Sequence, residues 1–448
     1  MDVPEKQGTH QKALSINLDG TIFGSFAEIG AGQEVARWFL RVGGASGTVA
    51  KTISAYDKEV SDDLYGTGTR YVSKPRLLAM LDNEWAQLLS QLQASRGEHS
   101  KFFSFVDTIS ARNYSGTNDC HGWVGLRFQQ QPNGHPSDVI LHVNLRDSSN
   151  VLQQEAVGIL GVNLLYAAHH AISSPTEFLA AVFEDLGLER MEIDCVELSG
   201  PAFEGWNIKE VQAFLVAGGY AQAVVFPADG EIGPVSEQLY KKALVLAPGR
   251  FGLADYLQAD LIRATLAELP EEELKESKGS LGLFCLASMP GTDEMKTLSI
   301  AEIVGLVEKL RGMGYGVIVF RDPELYEMSS FLNRYTKCRI HFAIRLLILV
   351  RVFEDRFRYL PGSLLEAIAR LFIQNVRLVV HPMPVDEVEA WAKANALSGW
   401  TWSSSDGMVH ADELHPAKPL DYLYSYLVSE GLILASKAGN RRFAETGL

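Results

Sequence analysis

Residues 282–320, GLFCLASMPGTDEMKTLSIAEIVGLVEKLRGMGYGVIVF, carry the pattern that decides the fold class. Gly282 to Ala287 and Gly316 to Phe320 are short apolar runs with the length of buried strands, and Ile300 to Met313 between them reads as a helix. Strand, helix and strand in this order predict a right-handed parallel crossover. Upstream, helix Ile208 to Ala217, strand Ala221 to Phe226, a turn at Asp229 and Gly230, strand Lys242 to Leu246 and helix Leu253 to Leu269 keep the same rhythm. Downstream, helix Glu324 to Tyr335, strand Val376 to Val380 and helix Val385 to Ala394 continue it. Ser398 to Gly407 is rich in Trp, Ser and Gly and reads as a loop; Tyr422 to Ser429 and Leu432 to Ala435 read as a helix-plus-strand tail.

The N-terminal part has its own alternation. Leu14 to Leu18 reads as a strand ended by Asp19 and Gly20, and Glu28 to Leu40 as helix-like. Arg76 to Leu92 repeats apolar residues at spacings of three and four, which predicts an amphipathic helix. Phe102 to Asp107, Trp123 to Phe128 and Asp138 to Val143 have strand character, the last two joined across the turn residues Pro132, Asn133 and Gly134. Asn150 caps a buried helix from Val151 to Ala171, Pro175 stands in the first turn of another, and Met191 to Val196 returns as a strand. The expected fold is α/β or α+β: two three-layer α/β lobes with mixed sheets, open to being distant structural duplicates, and a small C-terminal helix-strand tail. The expected boundaries are 1–205, 206–395 and 396–448.

Composition narrows the function classes. At about 150 residues per domain, 448 residues predict two or three domains. Forty Lys and Arg against 55 Asp and Glu leave a net charge of −15, which argues against nucleic acid as the main partner. The polar first twelve residues lack a secretory pattern, and the charge-free run Ala156 to Ala168 is too short to span a bilayer. Cys120, Cys195, Cys285 and Cys338 are scattered without CxxC spacing, as expected of reduced thiols in a cytoplasmic setting. No membrane partner and no metal site are expected, and no cofactor is assigned.

Several motifs tempt. Asn17-Leu18-Asp19-Gly20-Thr21 resembles the opening motif of haloacid-dehalogenase-like phosphohydrolases, but an amide stands where the nucleophilic carboxylate is needed. Gly30-Ala31-Gly32 and Gly43-Gly44-Ala45-Ser46-Gly47 have neither GxGxxG nor P-loop spacing. The chemically densest stretch runs from Phe105 to Arg127. Within it His121, with Asp107 and Asp119, is the candidate for proton transfer, and Arg112 and Arg127 for clamping a carboxylate or phosphate. His142, Asn144 and Arg146 alternate along the next strand and share one face, suited either to a pocket or to solvent. His169 and His170 end the long helix and suit its C-terminal dipole. Lys241, Lys242 and Arg250 form a second set of candidate anion ligands after the acidic turn at Asp229 to Glu231.

Phe26-Ala27-Glu28-Ile29-Gly30-Ala31-Gly32-Gln33-Glu34 resembles an uncharacterised bacterial family, as do Gln153-Gln154-Glu155-Ala156 with Gly158, Gly161 and Asn163, and Asp229-Gly230-Glu231 with Ser236-Glu237 and Tyr240-Lys241-Lys242. The resemblance spans most of residues 14 to 385. Some members carry labels implying a TonB-linked protein or a nicotinate-nucleotide adenylyltransferase; this sequence has neither an outer-membrane barrel pattern nor an adenylyltransferase histidine motif. The leading expectation is an enzyme acting on a small anionic or phosphorylated metabolite by acid/base chemistry, in a homodimer. The alternative is a non-catalytic ligand-sensing or scaffold protein.

Overall fold

The computed structural model describes residues 8–68, 70–249, 256–275, 277–287, 299–354, 357–373 and 375–437. Its chain divides into two units, Met1–Gln222 and Ala223–Leu448. The first unit opens with a departure from the expected strand at Leu14 to Leu18. Leu14, Ile16 and Leu18 alternate as a strand would, but the buried residues are Lys12, Ala13, Ile16 and Asn17, the spacing of a helix face, and the segment is helix α1 (Thr9–Leu18). Asn17 donates its side-chain amide to the carbonyls of Phe39 and Gly43, so the phosphohydrolase-like motif lies at a helix end.

The first strand is instead β1 (Ile22–Ile29), followed by α2 (Glu34–Val42), β2 (Val49–Ile53), α3 (Lys58–Tyr65), α4 (Lys74–Arg96), β3 (Lys101–Ser110), β4 (His121–Phe128), β5 (Ser137–Leu145), α5 (Asn150–His170), α6 (Pro175–Val182), β6 (Met191–Ser199) and α7 (Ile208–Ala217). The sheet order is β2-β1-β3-β4-β5-β6. β1 runs parallel to both neighbours, and β3, β4, β5 and β6 follow as an antiparallel meander. Leu77, Met80 and Leu81 of α4 cover one face over Ala27, Val106, Trp123 and Ile140. On the other face Phe26 packs against Phe39 of α2, and α2 packs against α5. Gly161 makes that helix contact close: a Cβ there would lie 2.3 Å from a Val35 methyl. Ser149, not Asn150, caps α5. Among the described residues α5 is the one helix long and apolar enough to cross a membrane; it packs against α1, α2, α6 and β4, with its apolar residues from Ala156 to Leu165 in the core and Val151 and Leu152 exposed.

The second unit comprises β7 (Ala223–Phe226), α8 (Val235–Leu239), β8 (Ala243–Gly249), α9 (Tyr256–Glu268), α10 (Glu271–Lys275), β9 (Ser280–Ala287), α11 (Ile300–Arg311), β10 (Gly316–Phe320), α12 (Leu325–Tyr335), β11 (Ile340–Arg345), α13 (Leu346–Val352), α14 (Ser363–Leu371) and β12 (Val376–His381). β13 (Met383–Pro384), α15 (Val385–Ala394), β14 (Trp400–Trp402), β15 (Met408–Val409), β16 (Leu414–Pro416), α16 (Leu420–Ser429) and β17 (Ile433–Ala435) complete it. The order is β17-β12-β11-β8-β9-β10-β7, parallel throughout except for edge strand β7. From β8 the chain winds outward through β9 and β10, then returns to β11 and winds the other way through β12 and β17, a doubly wound arrangement. The parallel β9–α11–β10 unit is the one read from residues 282–320.

Two expectations change. Ser398 to Gly407 is not wholly loop, since β14 pairs with β16; the tail strand β17 joins the main sheet beside β12. The two sheets also differ in strand order and sense, so topology does not carry a duplication.

Candidate functional site

The meander β4–β5–β6 assembles a buried polar chain. Register sets His121 opposite Asn144 and Trp123 opposite His142, and strand alternation turns His121, Trp123 and His142 to the α4 face. A bulge where β6 passes His142 inserts Asp194 beside it. His142 Nδ1 lies 2.6 Å from Asp194 Oδ1, and His142 Nε2 lies 3.2 Å from His121 Nδ1. His142 and Asp194 are 2% and 1% exposed, and the Trp123 ring meets the His142 ring edge-on at 4.9 Å.

This chain sets the tautomers, because a carboxylate only accepts hydrogen bonds. His142 therefore donates Nδ1–H to Asp194 and keeps a lone pair on Nε2. His121 donates Nδ1–H to that lone pair, which leaves His121 Nε2 as the basic nitrogen. His121 is half-buried at the start of β4. Burial pushes its pKa down, repulsion from His142 whenever that imidazole carries a second proton, and from the Arg70 charge, pushes the same way, and Asp119 and Asp194 oppose them. A neutral imidazole with a directed lone pair is the form a general base requires.

The other candidates are distributed around this centre. Asp119 is exposed in the loop before β4, where its carbonyl accepts from Ser110 Oγ. Asp107 is not beside His121: alternation from Val106 sends it to the opposite face of the sheet, next to Glu28 of β1. There Asp107 Oδ1 accepts the Ile29 amide, and the Glu28 carboxylate accepts the Val35 and Ala36 amides at the start of α2. Burial raises both acids, Glu28 to about 7, and the Glu28 charge raises Asp107 further.

Arg112 is exposed, its backbone held by Gln153 and Asn150 and its guanidinium lying over Gly116. Arg127 is six positions from His121 along β4, about 20 Å at strand rise. Its guanidinium forks onto Asp138 at 2.7 Å for both bonds and reaches Asp82 at 2.9 Å, so structure, not an incoming anion, occupies its donors. Arg146 bonds Gln222 and pairs with Glu192. Lys241 and Lys242 stand in the second unit: Lys241 Nζ lies over the Tyr240 ring, and the Lys242 carbonyl accepts from Thr336. Arg250 lies outside the described residues.

Sequence reasoning missed Asp194 and Arg70. Asp194 had a readable signal. Glu192 and Asp194 are charges inside the apolar first half of β6, and the preceding segment carries His142 in β5 and Arg146 just after it. Arg70 is exposed, next to Tyr71, whose carbonyl accepts from Thr108 Oγ1 of β3 at 2.7 Å. No sequence pattern links residue 70 to residue 121; the fold does. Among the described residues no group of three or more His, Cys, Asp and Glu converges as a metal site, and all four cysteines are free thiols.

No family model and no curated protein matches the chain. Solved structures similar to it include the competence/damage inducible protein CihA from Agrobacterium tumefaciens, at 22% identity over 37% of this chain and 98% of that one, with a TM-score of 0.28. The competence or damage-inducible protein from Enterobacter asburiae is 14% identical over 36% of this chain and 99% of that one, with a TM-score of 0.25. The competence-damaged protein (CinA) superfamily protein from Enterobacter cloacae is 13% identical over 37% and 95%, with a TM-score of 0.26. Likeness at this level carries no argument about the activity of this chain. These neighbours are named for competence and damage, not for TonB or adenylyl transfer.

Proposed function

We propose that the first unit performs acid/base chemistry on a small anionic metabolite, with His121 Nε2 exchanging the proton. The observation that carries this reading is the Asp194–His142–His121 chain. A buried carboxylate orients one imidazole, which orients a second that is half-exposed. Burying an aspartate and a histidine costs free energy that packing alone does not require, and the chain directs that cost to one basic nitrogen. Arg70, not Arg127, is the cation assigned to the anion, because its charge reaches His121, as the smallest of the influences there, while the donors of Arg127 are taken.

The test screens phosphorylated and carboxylated metabolites for thermal stabilisation of the full chain, then follows the hits for turnover by NMR. His121→Gln should retain binding and lose turnover by about 10²-fold or more, the usual scale of a general base. Arg70→Ala should weaken binding. If both variants match the wild type in binding and turnover, the assignment fails and the non-catalytic ligand-sensing reading takes its place.

A further inference from the structure

At the other end of the same sheet face, a cleft of about 230 Å³ opens between edge strand β2, β1 and α4. Phe23 of β1 pairs with Phe102, eight positions from Ser110, the partner of His121, so this cleft and the histidine chain are about 26 Å apart. Its floor is a closed ion pair: Lys51 Nζ lies 2.6 Å from Glu84 Oε2, and Tyr65 donates to Glu84 Oε1 at 2.9 Å. Glu84 is 1% exposed, so Lys51 serves its buried charge and the two cancel.

Lys51 also donates to Gln87 Oε1 at 3.0 Å, which leaves the Gln87 amide nitrogen as a donor. Arg96, at the last turn of α4, is exposed and lies over the Phe23 ring at 4.0 Å. Among the described residues no carboxylate pairs with Arg96. The cleft therefore carries one uncompensated positive charge, in a chain whose net charge is −15. Its lining is mixed, with Val49, Leu88 and Leu92 among the polar Ser25, Gln87 and Gln91.

We infer that this cleft binds a small aromatic monocarboxylate. The volume sets the size: a cavity of about 150 Å³ holds benzene, so this one holds a single ring with a small head group. The single free charge sets the valence. The planar guanidinium fork matches a carboxylate. Leu88 and Leu92 of α4 with Val49 of β2 receive the ring, while Arg96 receives the oxygens. Nothing in this inference depends on the chemistry proposed for His121.

Benzoate is the probe, titrated into the full chain and followed by calorimetry and protein-observed NMR. Saturable binding is expected, about tenfold tighter than for acetate, which lacks the ring, and than for benzyl alcohol, which lacks the charge. Arg96→Gln should weaken benzoate by about tenfold or more. Gln91→Glu, an exposed rim change that leaves the helix core untouched, should weaken it as well by adding a like charge. His121→Gln should leave benzoate binding unchanged, which separates this site from the proton-transfer reading. Absence of saturation at millimolar benzoate, equal binding of acetate, or indifference to both Arg96→Gln and Gln91→Glu overturns the inference.

Discussion

Glu28 and Asp107 pair across β1 and β3, no cation among the described residues offsets either charge, and their energetics follow from burial. Asp107 is fully buried with Oδ2 unpartnered, and Glu34 adds a further negative charge near Glu28. Two buried acids this close cannot both ionise, so the folded chain retains protons that the unfolded chain releases. The folded pKa of Glu28 is about 7, above its ordinary 4.5. Its contribution is therefore complete below pH 4.5 and is lost as pH rises through 7. Asp107→Asn, which imitates the protonated acid, should flatten that loss. Chemical denaturation should find the variant close to wild type at pH 5 and more stable by about 1.4 kcal/mol or more at pH 8. A variant less stable than wild type at pH 8 would show that Asp107 is ionised in the fold. Asp107 was legible as a candidate because a carboxylate in an apolar strand is rare, but its face was not. Placing it opposite His121 required the parity of β3 against α4, which is tertiary information.

At the scale of elements, strands read from runs of β-branched and aromatic residues were legible: β4 and β5 with their turn, β6, and the β9–α11–β10 unit. The N-terminal elements were not, because local alternation competed with long-range pairing. Lys12 shows why. A lysine argues against a buried face, yet Lys12 is 2% exposed, bonded to Asn163 Oδ1 at 2.7 Å and paired with Glu184 at 2.6 Å. Its partners come from α5 and from the residues after α6, more than 150 positions away, so no local pattern announces α1 as a core helix. Asn163 also donates to the carbonyls of Val182 and Glu184, making α1, α5 and the end of α6 one polar clamp. Lys12→Ala leaves the buried Asn163 amide and the half-buried Glu184 carboxylate without their cation and should cost about 3 kcal/mol in denaturant midpoint experiments. Lys12→Met, which keeps the stem but not the charge, should cost nearly as much if the pairing, rather than the packing, holds α1 in place. The same burial revises the histidines that end α5. His169 is pushed down to about 3 by burial and packs on Phe128 5.7 Å away, so it is neutral core and not a charge on the helix terminus.

For the whole molecule, two units with separate sheets mean two separate responses to pH. In the second unit His341 and His381 are 3% and 0% exposed, and burial lowers each to about 4. For His341 the charges of Arg339 and Arg377 add to burial; for His381, Glu268 opposes it, and Nε2 meets Thr265 Oγ1 at 3.0 Å. Below pH 6.5 the unfolded chain takes up protons that these folded imidazoles refuse, so the stability they share is present above 6.5 and is lost as pH falls towards 4. Between pH 6.5 and 5 the loss is about 2 kcal/mol per histidine. The first unit holds a counterweight, since Glu28 and Asp107 lose stability in the other direction, as pH rises. Calorimetry should therefore resolve two transitions whose separation changes with pH. Acidification from pH 7 to 5 should lower the one belonging to the second unit, and His381→Gln should reduce that shift without moving the other. If both transitions instead moved together in the wild type and in His381→Gln, the two units would be unfolding as one, and their buried acids and histidines would have to be counted in a single cooperative equilibrium.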